Sequence, residues 1–321
     1  MHYQLSIINY KTGVFMKKDL LKMEDLSKDE ILDILNIADQ LKYELKHGIK
    51  HHHLEGKTLG MIFEKSSTRT RVSFEAGMYQ LGGYPLFLSS NDLQIGRGEP
   101  IQDTSRVLSR YLNGIMIRTF AQKEVELLAE YSSIPIINGL TDDEHPCQVL
   151  ADLMTIRESK NILDGLKVAY IGDGNNMAQS LLVGCLTSGM NISLAIPNNY
   201  MIKEHYINKG IEIAENNNLC FNIVNDPKEA AKDADVIITD VWASMGKETE
   251  INERIKAFKG YQVNSELMKL AKEDAIVLHC LPAHREEEIT EEILEKHATT
   301  IFEEAENRLH VQKAILVKLM K

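Results

Sequence analysis

Short apolar runs alternate with helical segments along most of this chain. A first helix is predicted from the capping box at Ser27–Glu30 to Gly48. Four predicted strands follow, at residues 58–63, 84–88, 114–117 and 135–137. Helices are predicted after these strands, over residues 72–81, 101–111, 122–131 and 145–158. Because helices that connect strands of one direction cover both faces of the sheet, this alternation predicts a parallel α/β fold.

The same alternation starts again after the polar residues Ser159–Asn161. Five further strands are predicted, at residues 166–171, 192–195, 221–224, 236–239 and 275–278. We therefore predict two doubly wound parallel-sheet βα domains with the active site in the cleft between them. The predicted limits are residues 1–150 and 151–303, followed by a terminal helix over 304–321 that packs back on the first domain. Residues 1–15 are expected to be a poorly ordered extension.

Composition limits the classes of function. The chain has 321 residues, of which 44% are hydrophobic and 26% charged, as in a water-soluble globular protein of two domains. It has no apolar run of about 18 residues that would cross a membrane. The net charge of -11 argues against general nucleic-acid binding, which requires a basic surface. The four cysteines are scattered and form no CxxC pair, which favours a reducing, cytoplasmic setting and argues against a zinc site.

The hexapeptide Ser66–Arg71, SSTRTR, joins the first predicted strand to the helix that follows it. The backbone N–H groups and the positive dipole end at such a helix start favour an anion. The two arginines add bidentate donors that suit a phosphate. The hexapeptide therefore predicts a phosphate site, and the alternative is an ordinary Ser/Thr N-cap with surface arginines.

Two other patterns suggest cofactors that we do not expect. The run His51–His53 suggests a metal site, but it lies in a loop and no acidic residue is spaced to complete the site. Gly172–Gly174 after a strand suggests a dinucleotide site. However, Met177 occupies the third glycine position, and the strand over 192–197 ends without an acidic residue for a ribose.

Several polar residues also follow predicted strands, where parallel sheets bind ligands. These residues are Arg118, Gly172–Asn176, Asp240 and Cys280. His145 and Gln148 begin a helix one turn apart, so that a neutral imidazole and an amide can share one ligand. The alternatives are a salt bridge for Arg118, a capping histidine beside a solvent-exposed glutamine, and an N-cap role for Asp240. Cys280 is interpreted as a thiol that lines a pocket, since no histidine partner is evident for a nucleophile.

The motifs SSTRTR, HPCQ, DVWASMG and HCLP, in this order, resemble the aspartate/ornithine carbamoyltransferase family. Glu304–Arg308 resembles the carboxyl-terminal signature of that family, and the resemblance extends from about Leu20 to the end of the chain. DVWASMG together with HCLP is the pattern of members that use ornithine. Members that use putrescine would lack the SMG loop, and members that use aspartate would lack the Asp240 pattern.

The resemblance implies a role for each matching residue. Carbamoyl phosphate would bind to Ser67, Thr68, Arg69, Thr70, Arg118, His145, Gln148, Cys280, Leu281 and Arg308, and to Gln94 of a neighbouring subunit in a homotrimer. Ornithine would bind to Asn176, Asp240, Ser244 and Met245. Catalytic roles would belong to Arg118, His145, Cys280 and Arg308.

The reaction implied by the resemblance transfers the carbamoyl group of carbamoyl phosphate to the δ-amine of L-ornithine, giving L-citrulline and phosphate. It serves arginine biosynthesis or, in reverse, arginine catabolism. It requires no metal or organic cofactor, and we expect no nucleic-acid or membrane partner. Activity should rise toward alkaline pH, because only the neutral amine attacks. The alternatives are a different acceptor amine and a degenerate subunit that binds without catalysis.

Overall fold

The computed structural model describes residues 19–243 and 250–321. The strands in these ranges are β1 (Thr58–Phe63), β2 (Tyr84–Ser89), β3 (Gly114–Arg118), β4 (Ile136–Leu140), β5 (Lys167–Ile171), β6 (Asn191–Ala195), β7 (Phe221–Val224), β8 (Val236–Thr239) and β9 (Ile276–His279). The helices are α1 (Lys28–Lys46), α2 (Thr68–Gln80), α3 (Ile101–Tyr111), α4 (Gln122–Tyr131), α5 (Pro146–Lys160), α6 (Asn176–Thr187), α7 (Glu204–Asn217), α8 (Pro227–Ala231), α9 (Ile251–Ala257), α10 (Ser265–Met268), α11 (Glu291–Lys296) and α12 (Ala298–Met320). The prediction for residues 1–15 falls outside the described ranges.

The strands of the described ranges form two parallel sheets. Their orders are β2-β1-β3-β4 and β7-β6-β5-β8-β9. In each sheet the first strand, β1 or β5, is followed by strands that extend the sheet to one edge. The remaining strands are then added on the other side of that first strand. The order therefore reverses between β1 and β3 and between β5 and β8, and ligands of open parallel sheets bind at such points. The predicted fold class, two doubly wound parallel-sheet domains, is confirmed.

Both faces of the central strands β1, β3, β5 and β8 are buried, as their near-continuous apolar sequences require. Successive side chains of a strand alternate between the two faces. In β1, Ile62 enters a core with α4, whereas Met61 enters the core on the opposite face. In β5, Ile171 packs in a core on one face of the second sheet, and Tyr170 packs in the core on the opposite face. Met61 and Tyr170 belong to one continuous core, which joins the inner faces of the two sheets and fixes their strand ends relative to each other.

Helices α5 and α12 form the centre of this shared core. Every residue of α5 from Pro146 to Ile156 is buried. Helix α12 packs against α5, α1 and α2 and also contacts β9 of the second sheet. At this junction the Lys42 ammonium of α1 donates to Glu158 of α5 at 2.7 Å and to Asn307 of α12 at 2.7 Å. Helix α12 has 23 residues but is too polar to cross a bilayer. Among the described residues, no helix is both long enough and apolar enough to span a membrane.

Candidate active site

A cleft of about 880 Å³ opens at the carboxyl ends of both sheets. Loops after β1 and β3 line it from one side, and loops after β5, β8 and β9 line it from the other. The lining includes Ser66–Thr70, Arg118, His145, Gly174–Asn176, Asp240, Cys280–Pro282 and Arg308. Residues that are far apart in the chain are thus brought together at the two points where the strand order reverses.

Helix α2 begins inside the SSTRTR hexapeptide. Ser67 is its N-cap, and the Ser67 hydroxyl oxygen accepts a hydrogen bond from the Thr70 N–H at 3.2 Å. Because this cap forms, the helix begins at Thr68, four residues before the predicted start. The first turn of α2 therefore lines the cleft, where its free N–H groups and dipole favour an anion.

The two arginines of the hexapeptide have different surroundings. Arg69 lines the cleft, and its Nη2 donates to the carbonyl oxygen of Leu281 in the second domain at 2.5 Å. The Arg71 guanidinium instead stacks on the Phe87 ring, 3.7 Å from its centroid, and pairs with Glu75 at 3.1 Å. Side chains two positions apart on a helix point to nearly opposite sides. Of the two arginines, Arg69 is therefore the one placed to contact a phosphate.

Three guanidinium groups, those of Arg69, Arg118 and Arg308, line the cleft. Burial, together with the positive charges of Arg308 and Arg69, lowers the pKa of Arg118 to about 10, so that it remains a cation at neutral pH. Burial also lowers the pKa of Arg308. The Nε atoms of Arg118 and Arg308 are buried and have no hydrogen-bond acceptor among the described residues. An anionic ligand would relieve the repulsion and supply acceptors.

His145 is the N-cap residue of α5 and is buried. Burial, followed by the charges of Arg308 and Arg118, lowers the pKa of this imidazole well below its ordinary value. His145 is therefore neutral at physiological pH and has one ring N–H to donate. Its backbone N–H donates to the Ser180 hydroxyl at 2.9 Å, and that hydroxyl donates to Glu144 at 2.7 Å. This pair of bonds fixes the entry of the chain into α5.

We expect Glu144→Gln to change the pH dependence of stability. Glu144 is fully buried, and burial raises its pKa to about 7. A raised carboxyl pKa costs stability as pH increases from about 4.5 to 7, because the folded state must release a proton that it binds more tightly than the unfolded state. Between pH 5 and pH 8 the stability difference should shift toward the variant by on the order of 2 kcal/mol. Urea unfolding at both pH values measures this, and parallel pH profiles for the two proteins would contradict it.

Gln148, on the first turn of α5, lies behind the cleft and is buried. Its side-chain NH₂ group donates to Asp152 at 2.8 Å and to Glu304 at 2.7 Å. Its side-chain oxygen accepts from Arg308 Nη1 at 2.6 Å, and Arg308 Nη2 donates to the Thr70 hydroxyl at 3.1 Å. Gln148 thus holds the Arg308 guanidinium from the side opposite the cleft.

Asp240 follows β8 and presents a carboxylate to the cleft. Its Oδ2 accepts from Asn175 Nδ2 at 2.8 Å, and its Oδ1 accepts from the Val241 N–H at 2.8 Å and from the Cys280 thiol at 3.1 Å. Burial and the charge of Asp240 raise the pKa of Cys280 well above its ordinary value. Cys280 is therefore a neutral thiol that donates a hydrogen bond and does not act as a thiolate nucleophile.

The other predicted ligand residues have different positions. Asn176 lines the cleft, and its Nδ2 donates to the Thr141 carbonyl oxygen across the domain boundary at 2.6 Å. Gln94 is exposed and does not line the cleft of its own chain. Ser244 and Met245 lie outside the described residues, so their predicted roles stay predictions.

Two sequence patterns have structural explanations. A Cβ at Gly174 would lie 2.2 Å from the carbonyl oxygen of Tyr200, so this glycine permits the close approach of a neighbouring loop. The Gly174 N–H donates to the same carbonyl oxygen at 2.9 Å. In the histidine run, His51 contacts the Lys313 ammonium at 2.7 Å and Glu44 at 2.9 Å. The cation beside its ring opposes the binding of a metal ion at His51.

The motifs of the sequence do not include all the buried polar residues behind the cleft. Asp152, Glu144 and Ser180 belong to no predicted site, and Glu304 belongs only to the terminal motif. The sequence separation from predicted ligand residues does give a signal for Asp152 and Glu304. Asp152 lies four positions after Gln148 and Glu304 four positions before Arg308, so each shares a helix face with a predicted ligand residue.

Comparison with known proteins agrees with this architecture. The profile described as "Aspartate/ornithine carbamoyltransferase, carbamoyl-P binding domain" matches residues 18–158. The profile described as "Aspartate/ornithine carbamoyltransferase, Asp/Orn binding domain" matches residues 164–319. The sequence is 56% identical to an ornithine carbamoyltransferase of Caldicellulosiruptor saccharolyticus, over 94% of this chain and 97% of that protein. It is also 56% identical to that of Anoxybacillus flavithermus, over 94% and 96% of the two chains.

Solved structures give the same result. The ornithine carbamoyltransferase of Pyrococcus furiosus superposes with a TM-score of 0.90 at 50% identity, covering 94% of this chain and 96% of that one. The anabolic ornithine carbamoyltransferase of Campylobacter jejuni gives a TM-score of 0.90 at 47% identity, covering 94% and 99%. The resemblance inferred from the motifs is confirmed over nearly the whole chain. The chain belongs to the aspartate/ornithine carbamoyltransferase family.

Proposed function

We propose that this protein transfers the carbamoyl group of carbamoyl phosphate to the δ-amine of L-ornithine and releases L-citrulline and phosphate. The observation that carries the proposal is the cleft, which has the guanidinium groups of Arg69, Arg118 and Arg308 on one side and the Asp240 carboxylate on the other. The remaining charged side chains of the lining form two ion pairs, Lys65 with Asp142 and Lys203 with Asp143. Such a polarity suits a phosphorylated donor beside a cationic amino acid. Relatives 52 to 56% identical to this chain are named ornithine carbamoyltransferase.

The first turn of α2 binds the phosphate of carbamoyl phosphate. Ser67, Thr68, Arg69 and Thr70 supply backbone and side-chain donors, and Arg118 and Arg308 supply further charged donors. Three cations held close together in a buried site repel one another, and a dianionic phosphate removes that repulsion. The developing charge on the leaving phosphate is therefore matched before the reaction begins.

Arg118, His145 and Thr70 polarise the carbamoyl carbonyl group, and Leu281 contacts the carbamoyl amide. Gln148, which lies behind the cleft, acts through its hydrogen bond from Arg308. When the neutral δ-amine attacks the carbonyl carbon, the carbonyl oxygen gains negative charge. Donors held in place around that oxygen each stabilise it by about 3 to 4 kcal/mol. The carbon–oxygen bond to phosphate then breaks with its electron pair leaving on the phosphate oxygen. The attacking nitrogen releases one proton, which the departing phosphate accepts. The neutral state of His145 allows it to donate one hydrogen bond without adding a fourth charge to the cluster.

Asp240 binds the α-ammonium group of ornithine, together with Ser244. Asn176 and the backbone of Met245 bind its α-carboxylate, and the Cys280 thiol lies near the δ-amine. The support for Asp240 is its carboxylate, which Asn175 and Cys280 orient at the wall of the cleft. Putrescine has no α-carboxylate and would leave the Asn176 side of the site without a partner.

Citrulline formation from carbamoyl phosphate tests the proposal directly. L-Ornithine, putrescine, N-acetylornithine and L-aspartate are compared as acceptors at equal concentration. Ornithine should give the highest kcat/KM. A higher value with another acceptor would refute the choice of substrate, and binding of carbamoyl phosphate without turnover would refute catalysis.

The pH profile should reflect the ornithine amine and not His145. Free ornithine is protonated at its δ-amine, so kcat/KM for ornithine should rise by about tenfold per pH unit below the amine pKa of about 10. Because the pKa of His145 is lowered by burial and by Arg308, no inflection should occur between pH 5 and 7. Initial rates from pH 5 to 9 measure the profile. An inflection near pH 6.5 that disappears in His145→Gln would contradict the neutral imidazole.

We further propose a homotrimer in which Gln94 enters the active site of a neighbouring subunit. Gln94 is exposed and outside its own cleft. Large apolar side chains are exposed on the edge strand β2 and on α2 beside it, namely Tyr84, Val72 and Tyr79. Association of subunits would bury them. Sedimentation velocity measures the mass of the assembly, and a monomer at micromolar concentration would refute the trimer.

A cytoplasmic location is also a proposal. It is supported by the four cysteines, each of which is a free thiol in the structure. Cell fractionation with an antibody against the native protein tests it.

A further inference from the structure

A pair of buried carboxyl groups lies behind the cleft, and the proposed reaction assigns neither of them a role. Asp152 on α5 is 0% exposed and Glu304 on α12 is 1% exposed. Both accept hydrogen bonds from one nitrogen, Gln148 Nε2, at 2.8 and 2.7 Å. Two carboxylates this close in a buried site are not both ionised at neutral pH, so the pair retains one proton.

The hydrogen bonds favour Asp152 as the protonated partner. Both oxygens of Glu304 accept N–H bonds, Oε1 from Gln148 and Oε2 from the backbone of His279 at 2.9 Å. Asp152 accepts such a bond through Oδ1 alone, and its Oδ2 has no N–H donor among the described residues. Burial raises the pKa of both carboxyl groups. If the proton is on Asp152, both carboxylate oxygens of Glu304 keep their N–H donors.

The charges around the pair agree with one retained proton. The groups that face it are Arg308 on α12, Asp240 after β8, Cys280 after β9 and Cys185 on α6. The two cysteines are neutral, because burial raises the pKa of each thiol. Arg308 is the one cation among these groups, and the Asp240 carboxylate already contributes a negative charge beside the pair. A second negative charge would have no counterpart among these groups.

We propose that Asp152 and Glu304 form a one-proton pair that positions Gln148 and, through it, Arg308 for carbamoyl phosphate. Because both carboxyl groups accept from the Gln148 NH₂ group, only the amide oxygen is left to face Arg308. That oxygen accepts from Arg308 Nη1 at 2.6 Å. If the Gln148 amide were flipped, its NH₂ group would face the Arg308 guanidinium, and two hydrogen-bond donors would oppose each other. This inference rests on the proposed function, since it adds positioning residues to the same site.

Two isosteric substitutions test the pair. Glu304→Gln places an NH₂ group against either the Gln148 NH₂ or the His279 N–H. We expect it to lower kcat/KM for carbamoyl phosphate by at least about 30-fold, with a smaller change in KM for ornithine. Asp152→Asn keeps a hydrogen donor toward Glu304, as a protonated Asp152 does, and should lower kcat/KM by less than about fivefold. Equal losses in the two variants, or an unchanged Glu304→Gln enzyme, would overturn the proposal.

Affinity for inorganic phosphate, measured by isothermal titration calorimetry, tests the pair without any acceptor. Glu304→Gln should bind phosphate about tenfold more weakly than Asp152→Asn does, because Arg308 is misplaced only in the former. This contrast would persist even if ornithine proved not to be the acceptor, so the two proposals fail separately. Equal phosphate affinities in the two variants would overturn the positioning role.

A spectroscopic measurement applies even if Glu304→Gln does not fold. The infrared difference spectrum of wild type minus Asp152→Asn at pH 7 should contain the carbonyl band of a protonated carboxylic acid. A role in packing alone would not produce that band. Its absence would show that Asp152 does not hold the proton and would overturn the assignment of Asp152 as the protonated partner.

Discussion

Arg69→Ala is expected to lower kcat/KM for carbamoyl phosphate by about 10²- to 10³-fold. The substitution removes the bidentate charged donor that we propose for the phosphate, which becomes more strongly charged as it leaves. It also removes the hydrogen bond from Arg69 to the Leu281 carbonyl oxygen, which joins the two sides of the cleft. The two losses should act on the same step, because the proposed phosphate site lies where the domains meet. Steady-state kinetics with carbamoyl phosphate varied at saturating ornithine measures the effect.

Arg71→Ala is the matched control for this prediction. It deletes the same side chain from the same helix turn, but Arg71 stacks on Phe87 and pairs with Glu75 at the surface. We expect kcat/KM to stay within about threefold of wild type. Arg69→Lys keeps the charge without the fork and should fall between the two. An Arg69→Ala enzyme with normal affinity for carbamoyl phosphate would contradict the phosphate assignment.

The strands were predictable because a strand buried on both faces is a continuous apolar run. β1, β7 and β8 have the bounds expected from the sequence. The predicted helix boundaries were less accurate where a capping hydrogen bond sets the first residue of the helix. The prediction placed the start of α2 after the hexapeptide, since its hydroxyl and arginine side chains give no apolar stripe there. The Ser67 hydroxyl nevertheless bonds to the Thr70 N–H and starts the helix earlier.

The order of the strands and the second layer of the site were not predictable from local pattern. The alternation of strands and helices predicts parallel pairing of the strands. The lengths of the connecting loops do not indicate which strand is central in the sheet. Cleft residues such as Arg118 and Asp240 were found because a charged residue at the end of an apolar strand is conspicuous. Asp152 and Glu304 lie within helices, and a carboxylate on a helix ordinarily faces water. Only the packing of α5 against α12 shows that these two carboxyl groups are buried together.

Asp240→Asn is expected to lower kcat/KM for ornithine by about 10³-fold and to leave KM for carbamoyl phosphate within about threefold. The carboxylate accepts from Asn175, Val241 and Cys280 at present. An amide in its place would turn an NH₂ group toward at least one of these donors and would remove the negative charge that pairs with the α-ammonium. Loss of one partner of a buried ion pair typically costs 3 to 5 kcal/mol, about 10²- to 10³-fold or more.

Asp235→Asn separates this effect from damage to the strand that carries Asp240. Asp235 lies just before β8, at the end opposite Asp240, and is buried like it. Its carboxylate accepts from the Lys167 N–H at 2.8 Å and from the Lys272 ammonium at 2.7 Å, outside the cleft. Asp235→Asn should therefore lower stability without changing KM for ornithine. If Asp240→Asn instead weakened both substrates equally, as a distorted cleft would, Asp240 would be a structural residue and the ammonium assignment would be wrong.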